Sequence, residues 1–581
     1  MSRVVSSSSR ARRGAVEPSR IDGSRLTIST SYAQTDSWDP RRLDTCQDVN
    51  QRSIGGHRRA SLAYRRDATR RDGRTETMEV TLDVTKVDAV FFLYCATLVF
   101  SMQIGFTLLE VGSVSIKNTK NVLIKNVIDL CVSGLVFYCV GFALMHGPEG
   151  GFAGRSGFAL VGGRLSTTDV AEAARWHAEA VFSMAFASTA TTIVSGAVAE
   201  RFSFQSYALL SVLISGLVFP IAAHWVWSSE GWLSPSSSDP FLGVGVIDFA
   251  GSGVVHALGG WCALLSVVVV GPRRGRFTSG RKPNELPAQS PVFQVAGGLF
   301  LWYGWFGFNC GSVRTLALSN LFTVTRVGVC TILTACAGGL TVSLIDMYRD
   351  SSVIRPVRMI NGVLSALVAC SAGSAYIHAG LSIVIGVVAG FFYVITSHAM
   401  IRMKLDDVVD AVAIHLGGGL WGILAAALMS KREYLMDTFG DTYKGCGAFS
   451  GCARGGHVIG AAFIYIVALL SWTTAIILPA LLLLKKLNRL RVSIEREIHG
   501  LDVSQHGGAA YSEFQTTIFK YKDASGTEKS LEMRVRAGDA ARFAMILSDI
   551  VSTTDVGSEQ NNPKDLISHS SALTHMETVA E

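Results

Sequence analysis

The feature that most constrains the fold is a series of long apolar runs, which lie between residues 87 and 490. A helix needs roughly 20 mostly apolar residues to cross the hydrocarbon core of a bilayer. Runs of about this length recur eleven times. The predicted spans lie near residues 88–109, 122–145, 177–198, 204–227, 250–271, 291–310, 321–345, 359–373, 379–400, 408–429 and 457–485. The sequence therefore predicts an all-α polytopic membrane protein with eleven transmembrane helices.

Composition agrees with this prediction. Of the 581 residues, 49% are hydrophobic and 17% are charged, whereas soluble domains average about one quarter charged. Gly, Ala and Ser recur inside the central runs, as in Ala335–Leu340 and Gly417–Gly419, where small residues allow helices to pack closely. The net charge of +7 comes largely from the ends and the short loops, so it does not indicate a nucleic-acid partner.

Three regions differ in composition. Residues 1–85 form a polar, arginine-rich tail that we expect to be disordered, residues 86–490 form the membrane domain, and residues 491–581 form a polar C-terminal tail. Two alternatives apply to the first region: translation that begins at Met78, or a transit peptide that is cleaved. The C-terminal tail is expected to be cytosolic and regulatory.

The distribution of Lys and Arg predicts the orientation of the chain. The loops at 272–289 and 346–358 are rich in arginine, whereas those at 228–247 and 374–378 carry no Lys or Arg. Loops rich in Lys and Arg face the cytosol, so the N-terminus is predicted outside and the C-terminus inside. The arginine-rich N-terminal tail conflicts with this orientation, although long tails cross membranes largely regardless of charge.

Cysteine usage gives one further expectation. Most of the cysteines sit singly inside apolar runs, where they behave as small hydrophobic residues. Cys446 and Cys452 lie close together in a polar loop. They can form a disulfide if that loop is extracytosolic, and they are otherwise two thiols.

Two membrane spans carry the same polar pattern. Asp248 stands eight residues before His256, and Asp407 stands eight residues before His415. Eight helical residues rise about 12 Å, so an aspartate near the membrane surface places its histidine near the midplane. The two patterns fall in the fifth and tenth spans. Because five is odd, the second half would be inserted upside down, which predicts an inverted five-plus-five repeat with a central site.

Histidine at the midplane suits a path for a small polar molecule. Neutral imidazole has one donor and one acceptor, and burial disfavours its charged form. Two facing rings could line a narrow path or relay a proton, whereas the alternative is that each ring only satisfies helix packing. Asp248 and Asp407 are interpreted as helix caps, with direct cation binding as the alternative.

Aromatic residues form the second candidate element. Phe182 and Phe186 share one helix face, Trp225 and Trp227 end the fourth span, and the sixth span ends in an aromatic stretch at 304–312. Aromatic faces attract cations by roughly 0.5–2 kcal/mol each. The alternative is an ordinary aromatic belt at the membrane interface.

These segments together resemble the Amt/Mep/Rh ammonium transporter family, on its Amt side. The resemblance covers about residues 87–512. It rests on Gly105–Asn118 (GFTLLEVGSVSIKN), Gly196–Phe204 (GAVAERFSF), Asp248–His256 (DFAGSGVVH), Gly271–Phe277 (GPRRGRF), Gly304–Ser312 (GWFGFNCGS) and Gly500–Gly507 (GLDVSQHG).

The resemblance implies a function and a set of roles. The chain would transport ammonium or ammonia across the plasma membrane as a homotrimer with one pore per subunit. The implied roles are ammonium recruitment by Phe182, Phe186, Trp227 and Ser312, a gate of Phe186 and Phe308, a pore lined by His256, His415 and Trp305, and a supporting acid at Asp248. No cofactor is implied.

The sequence departs from the family at two positions. Leu416 follows the second histidine where many members have Gly, and Phe219 stands where Tyr is frequent. The first change bears on helix packing beside the pair, and the second removes a hydroxyl near the mouth. In the tail, Ser504 is a candidate phosphorylation site whose charge would disturb docking, and the alternative is an ordinary linker serine.

Three functions other than ammonium transport are considered for this sequence. The same fold could act as an ammonium sensor with little flux, signalling through residues 515–581. An Rh-like channel for neutral gas is disfavoured by Trp227 and Ser312. The motifs H-E-x-x-H and G-x-S-x-G are absent from the sequence, so an enzyme or a metal site is not expected.

Overall fold

Between Val84 and His506 the described part of the chain consists of helices and the loops that join them. The structure is a computed structural model. It describes residues 61–69, 75–148, 150–162, 167–277, 283–316, 318–350, 352–511, 514–522 and 528–536. The all-α character of the membrane domain is therefore as the apolar runs predict.

Helices of very different length succeed one another along the chain. Several contain a π-helical segment, in which each turn holds one extra residue. The α-helices are α1 Val84–Ser113, α2 Thr119–Val136, α3 Phe142–His146, α4 Val170–Ala197, α5 Phe204–Leu213, α6 Phe219–Trp227, α7 Leu258–Val270, α8 Pro291–Gly311, α9 Leu318–Arg349, α10 Pro356–Cys370, α11 Ala379–Arg402, α12 Gly418–Met429, α13 Arg432–Phe439, α14 Gly455–Lys486, α15 Ile494–His499 and α16 Leu501–His506. The π-helical segments are Phe137–Gly141, Ile214–Val218, Ser252–Ala257 and Val412–Gly417, and the 3-10 turns are Ile116–Asn118, Phe158–Leu160, Phe241–Gly243 and Ala448–Ser450.

Nine helices of the described part are long and apolar enough to cross a membrane. Two of the predicted eleven spans are not among these nine. The predicted sixth span is the 21-residue helix α8, and the predicted eighth span is the shorter apolar helix α10 of 15 residues. Both helices exist in the structure, and the count of eleven membrane crossings stays a prediction.

Two small hairpins flank the membrane domain. Strand β1 (Ser61–Thr69) pairs antiparallel with β2 (Thr75–Asp83), and β3 (Phe514–Lys522) pairs antiparallel with β4 (Glu528–Arg536). The first hairpin differs from the disorder expected for the N-terminal tail. Its second strand alternates apolar and polar residues, a pattern that is typical of strands. The remaining residues expected to be disordered lie outside the described ranges, apart from the first residues of α1.

Glycine contacts show why the small residues lie where they do. A side chain on Gly105 of α1 would meet the backbone oxygen of Gly297 of α8 at 2.8 Å, and one on Gly297 would meet the oxygen of Gly105 at 2.5 Å. These two helices therefore touch through their backbones. Such close approach is how helices associate in lipid, where no hydrophobic difference drives them together.

One end of the helical domain carries the disulfide. Cys446 and Cys452 are joined, which settles the alternative that the sequence left open. The same loop contacts the 228–247 loop, because the Tyr443 hydroxyl donates to the backbone oxygen of Val244 at 2.9 Å. The disulfide thus lies on the side that lacks Lys and Arg in its loops at 228–247 and 374–378.

The opposite end is held by buried ion pairs. Arg273 contacts Asp406 at 2.8 Å and Glu200 at 3.1 Å, and each of these side chains is at most 9% exposed. Arg201, fully buried, donates to the backbone oxygen of Asp406 at 2.5 Å. This cluster ties the connections after α4, α7 and α11 together at one membrane face.

The beginning of the C-terminal tail packs on this face. The Asp502 carboxylate accepts the backbone N–H groups of Lys120 and Asn121, at 3.0 and 2.9 Å, at the start of α2. The Lys117 ammonium donates to the oxygen of Ile498 at 2.8 Å. Asp502 thereby satisfies two backbone donors that a helix start leaves open.

Candidate substrate path

The two predicted histidines meet inside the helical domain. His256 and His415 are 0% and 4% exposed, and their Nδ1 atoms are 3.2 Å apart. The ring centroids are 5.3 Å apart with an interplanar angle of 20°. One nitrogen must carry the proton of this hydrogen bond, so the two rings hold complementary roles as donor and acceptor.

Each histidine lies in a π-helical segment. His256 is in Ser252–Ala257, which leads into α7, and His415 is in Val412–Gly417, which leads into α12. A π turn shifts the side chains by one residue relative to an α-helix, and such turns occur frequently at functional sites. The hydropathy pattern carries no signal for this change in hydrogen-bond register.

Glycines four residues after each histidine allow the two helices to cross closely. A side chain on Gly260 would meet the backbone nitrogen of Leu416 at 2.4 Å. A side chain on Gly419 would meet the backbone oxygen of Ser252 at 2.6 Å. The spacing Asp-x7-His-x3-Gly is thus shared by both halves. Close packing was expected at Gly417–Gly419, whereas the matching position of Gly260 in the other half was not predicted, although the shared spacing is visible in the sequence.

The two aspartates hold the starts of these helices. Asp248 Oδ2 accepts the backbone N–H groups of Gly253 at 3.0 Å and Val254 at 3.1 Å, and also accepts the Tyr465 hydroxyl at 2.8 Å. Asp407 Oδ2 accepts the N–H of Val412 at 2.7 Å. Each carboxylate therefore accepts N–H groups at the start of the helix, as a cap does, although the N-cap residues themselves are Gly251 and Ala411.

The rings of Phe308 and Trp305 both lie next to His256. Phe186 and Phe308 are stacked, with centroids 3.9 Å apart and an interplanar angle of 9°. The Phe308 centroid lies 5.2 Å from that of His256. Trp305 stacks on His256, also at 5.2 Å, and its indole N–H donates to the Ser371 hydroxyl at 3.1 Å. The buried phenyl pair lies between the ring of His256 and that of Trp227, which is 6.1 Å from Phe186.

On the other side of the phenyl pair lies a cavity of about 320 Å³, which we call the mouth. It is lined in part by Trp227, Asp248 and Ser312. The Trp227 ring stands edge-on to Phe186 at 6.1 Å, and its N–H donates to the backbone oxygen of Asp248 at 2.6 Å. The Ser312 hydroxyl donates to the oxygen of Phe308 at 2.8 Å, which leaves its own oxygen available as an acceptor.

Of the other residues that the sequence singles out, one lies beside the mouth and two lie elsewhere. Phe182 packs against Phe186 with centroids 4.6 Å apart, beside the same mouth. Trp225 instead packs on Phe152 and Trp472, away from the path. Ser504 lies in α16 of the docked tail, where its hydroxyl donates to the oxygen of Gly500 at 2.8 Å.

Two further groups of polar residues, buried at least in part, were not predicted from the sequence. Glu110, Lys125 and Asp129 are buried between α1, α2 and α4, where Lys125 donates to the oxygen of Ser195 at 2.9 Å. Glu179 and Arg314 form an ion pair beside the mouth. The charged residues inside apolar runs were the available signal, but their partners lie far away in the sequence.

The sequence of the chain is similar to those of known proteins. The sequence profile of the Ammonium Transporter Family matches residues 90–511. Ammonium transporter 1 member 3 of Solanum lycopersicum is 34% identical, over 74% of this chain and 94% of that protein. Ammonium transporter Amt2 of Archaeoglobus fulgidus is 39% identical, over 74% of this chain and 89% of that protein.

Solved structures give the same result. A structure described as Sensor Amt Protein superposes with a TM-score of 0.64 at 31% identity, covering 73% of this chain and 99% of that chain. Together with the profile match, these similarities identify the chain as a member of the ammonium transporter family.

Proposed function

We propose that this ammonium transporter recruits the ammonium ion at the mouth lined by Trp227, Ser312, Phe182 and Phe186. The ion then passes the gate formed by Phe186 and Phe308 and loses its proton. Ammonia moves on along His256, His415 and Trp305, with or without the proton following. The observation that carries the proposal is the buried imidazole pair, 3.2 Å between nitrogens, directly beneath the stacked phenyl rings.

The chemistry of the mouth suits a small cation. The indole face of Trp227 attracts positive charge, and the Ser312 oxygen can accept a hydrogen bond from ammonium. Asp248 is buried and held by backbone N–H groups and Tyr465, so its role in the proposal is to support Trp227 and the helix start rather than to bind the ion.

The gate and the histidines then separate ammonium from other cations. A bare ammonium ion in hydrocarbon is too costly to cross unaided, so a dry phenyl pair favours loss of the proton. Ammonia can donate to one imidazole nitrogen and accept from another. Potassium has similar size but can neither donate a hydrogen bond nor lose a proton, and it would be rejected.

The test combines labelled-amine uptake with current recording. His256→Ala should abolish most of the uptake, because it removes one half of the imidazole pair. The exposed His457 at the start of α14 provides a matched control, and His457→Ala should transport normally. Unchanged uptake and current in His256→Ala would contradict the proposal.

Orientation and assembly extend the proposal. The side with the disulfide and the loops without Lys and Arg faces outward, because disulfides persist in oxidising compartments and basic loops stay in the cytosol. The membrane is the plasma membrane. The chain forms a homotrimer in this proposal, and apolar side chains on the helical surface, such as Val90, Tyr94 and Ile395, are exposed for contact with lipid or with other subunits.

The docked tail is proposed to regulate transport. A phosphate on Ser504 would place negative charge two residues from the Asp502 carboxylate, which is engaged at the start of α2. Burial is the main reason that the pKa of Asp502 is raised, so added negative charge there is unfavourable. We expect Ser504→Asp to change uptake and Ser504→Ala to leave it intact; equal uptake in both would sink the idea.

A sensor remains the alternative function, and one relative of known structure bears the word sensor in its description. Deleting residues 515–581 separates the two functions. A transporter should retain uptake after this deletion, whereas a sensor would lose its downstream response while its small flux stayed the same.

A further inference from the structure

An ion pair stands beside the mouth of the path. Arg314 follows the end of α8, and Glu179 lies in α4 one turn before Phe182. Arg314 Nη1 and Glu179 Oε1 are 3.2 Å apart, and the side chains are 35% and 3% exposed. The carboxylate is therefore buried, whereas the guanidinium reaches the cavity.

The pair lies beside the mouth, where Arg314 lines the cavity and Glu179 is buried behind it. Glu179, Phe182 and Phe186 are spaced at i, i+3 and i+7, so they occupy one face of α4. Arg314 lines the same cavity as Trp227 and Ser312. Its guanidinium carbon lies 5.9 Å from the centroid of the Trp227 ring, which is within cation–π distance.

The backbone at Arg314 is unusual. Its φ angle is 69°, in the left-handed region that glycine and asparagine adopt most readily. The turn closes with a hydrogen bond of 3.1 Å from the Arg314 N–H to the oxygen of Gly311. A glycine would suit this turn better, so the backbone alone gives no reason for an arginine here.

We propose that Arg314 is a resident cation that competes with incoming ammonium for the Trp227 face and for Glu179, and thereby sets the affinity of the mouth. The inference rests on the proposed recruitment of ammonium at this mouth. Both ions are attracted by the same indole ring and the same carboxylate. The entering ion must therefore share a site whose negative charge is already neutralised.

This competition predicts a different effect on ammonium for each of three changes to the ion pair. Removing the arginine leaves the Glu179 carboxylate to attract ammonium, whereas removing the carboxylate leaves an arginine that repels it. Removing both charges restores electrical neutrality. The half-exposed position of Arg314 limits each effect, because exposed ion pairs and single cation–π contacts are weak.

The experiment measures the concentration dependence of labelled-amine uptake by the full chain at low ionic strength. Arg314→Gln should lower KM about threefold to tenfold, and Glu179→Gln should raise it by a similar factor. The double variant should return KM to within about twofold of the wild type. The maximal rate should change less than KM, because the histidine pair is untouched.

Three controls separate charge from structure. Arg314→Lys keeps the charge and should keep KM near the wild-type value. Arg314→Gly relieves the backbone and removes the charge, so it should behave as Arg314→Gln. Arg355 pairs with Asp350 in an exposed loop at the opposite face, and Arg355→Gln should leave KM unchanged.

The outcomes distinguish this inference from the proposed function. A wild type that transports, together with an unchanged KM in Arg314→Gln and Glu179→Gln, would overturn the inference alone. A wild type without saturable uptake would overturn the proposed function and the inference with it. If Arg314→Gln is not recovered as folded protein, Glu179→Gln decides, because its KM must rise.

Discussion

The two helices that carry the histidines share a plan but differ in their surroundings. Each begins with a capping aspartate, places its histidine in a π-helical segment and has a glycine four residues later. His256 is stacked on Trp305 and lies near the phenyl gate, whereas His415 lies 6.3 Å from Phe106. The shared plan brings the two rings together, but His256 has two aromatic neighbours at 5.2 Å, whereas Phe106 lies farther from His415.

The capping aspartates differ in the same way. Asp248 holds two backbone N–H groups and a tyrosine hydroxyl close to the mouth, whereas Asp407 holds the start of its helix beside the buried ion pairs. One aspartate thus lies beside the proposed recruitment site, and the other lies beside the buried ion pairs at the opposite end of the helices.

The largest difference between the halves should appear when each aspartate is replaced. Asp248→Ala leaves two N–H groups and the Tyr465 hydroxyl without their acceptor, so we expect a stability loss of about 3 kcal/mol or more and at least a tenfold loss of uptake. Asp407→Ala should cost less in both respects. Thermal unfolding of the purified variants and uptake rates provide the measurement, and equal losses would show that the two caps are equivalent.

The glycines test what the halves share. Gly260→Ala and Gly419→Ala would each push a methyl group into the backbone of the other helix, so each should cost about 1–3 kcal/mol and reduce uptake. Gly456 in the last span has nothing within 4 Å of the added methyl group and serves as the control. Wild-type stability in Gly260→Ala would mean that the close crossing does not hold the imidazole pair.

The sequence predicts the features that are periodic or repeated. The apolar runs predict the helices, and the equal Asp–His spacing places both histidines at one depth. Their contact needs the crossing at Gly260 and Gly419, which a single helix pattern cannot specify. The Glu179–Arg314 pair could not be predicted, because its members lie on separate helices and meet only through the fold. The π turns also stayed hidden, since they change hydrogen bonding without changing hydropathy.

The smallest expected effect concerns pH and two neighbouring carboxyl groups. Burial, followed by the charge of Asp410, raises the pKa of Asp407 to about 7. Burial also acts to raise the pKa of Asp406, but hydrogen bonds and charge from Arg273 outweigh it and hold that pKa at about 2. The two groups therefore respond to pH in opposite directions.

The signs follow from linkage between protonation and folding. Asp407 binds its proton more tightly in the folded chain, so its contribution to stability falls as pH rises from about 4 to about 7. Asp406 stabilises the fold above about pH 4, and this contribution is lost as pH falls through about 2. Asp407→Asn should flatten the decline between pH 4 and 7, measured as unfolding temperature. Asp406→Asn should leave that decline intact and lower stability at pH 7.

The account depends most directly on the two imidazoles acting as one unit. Uptake should be measured in His256→Ala, His415→Ala and the double variant, at matched amounts of folded protein in the membrane. We predict that the double variant transports no more slowly than the slower single variant, because either change already breaks the pair. Losses that multiply in the double variant, or normal uptake in either single variant, would contradict a shared histidine path.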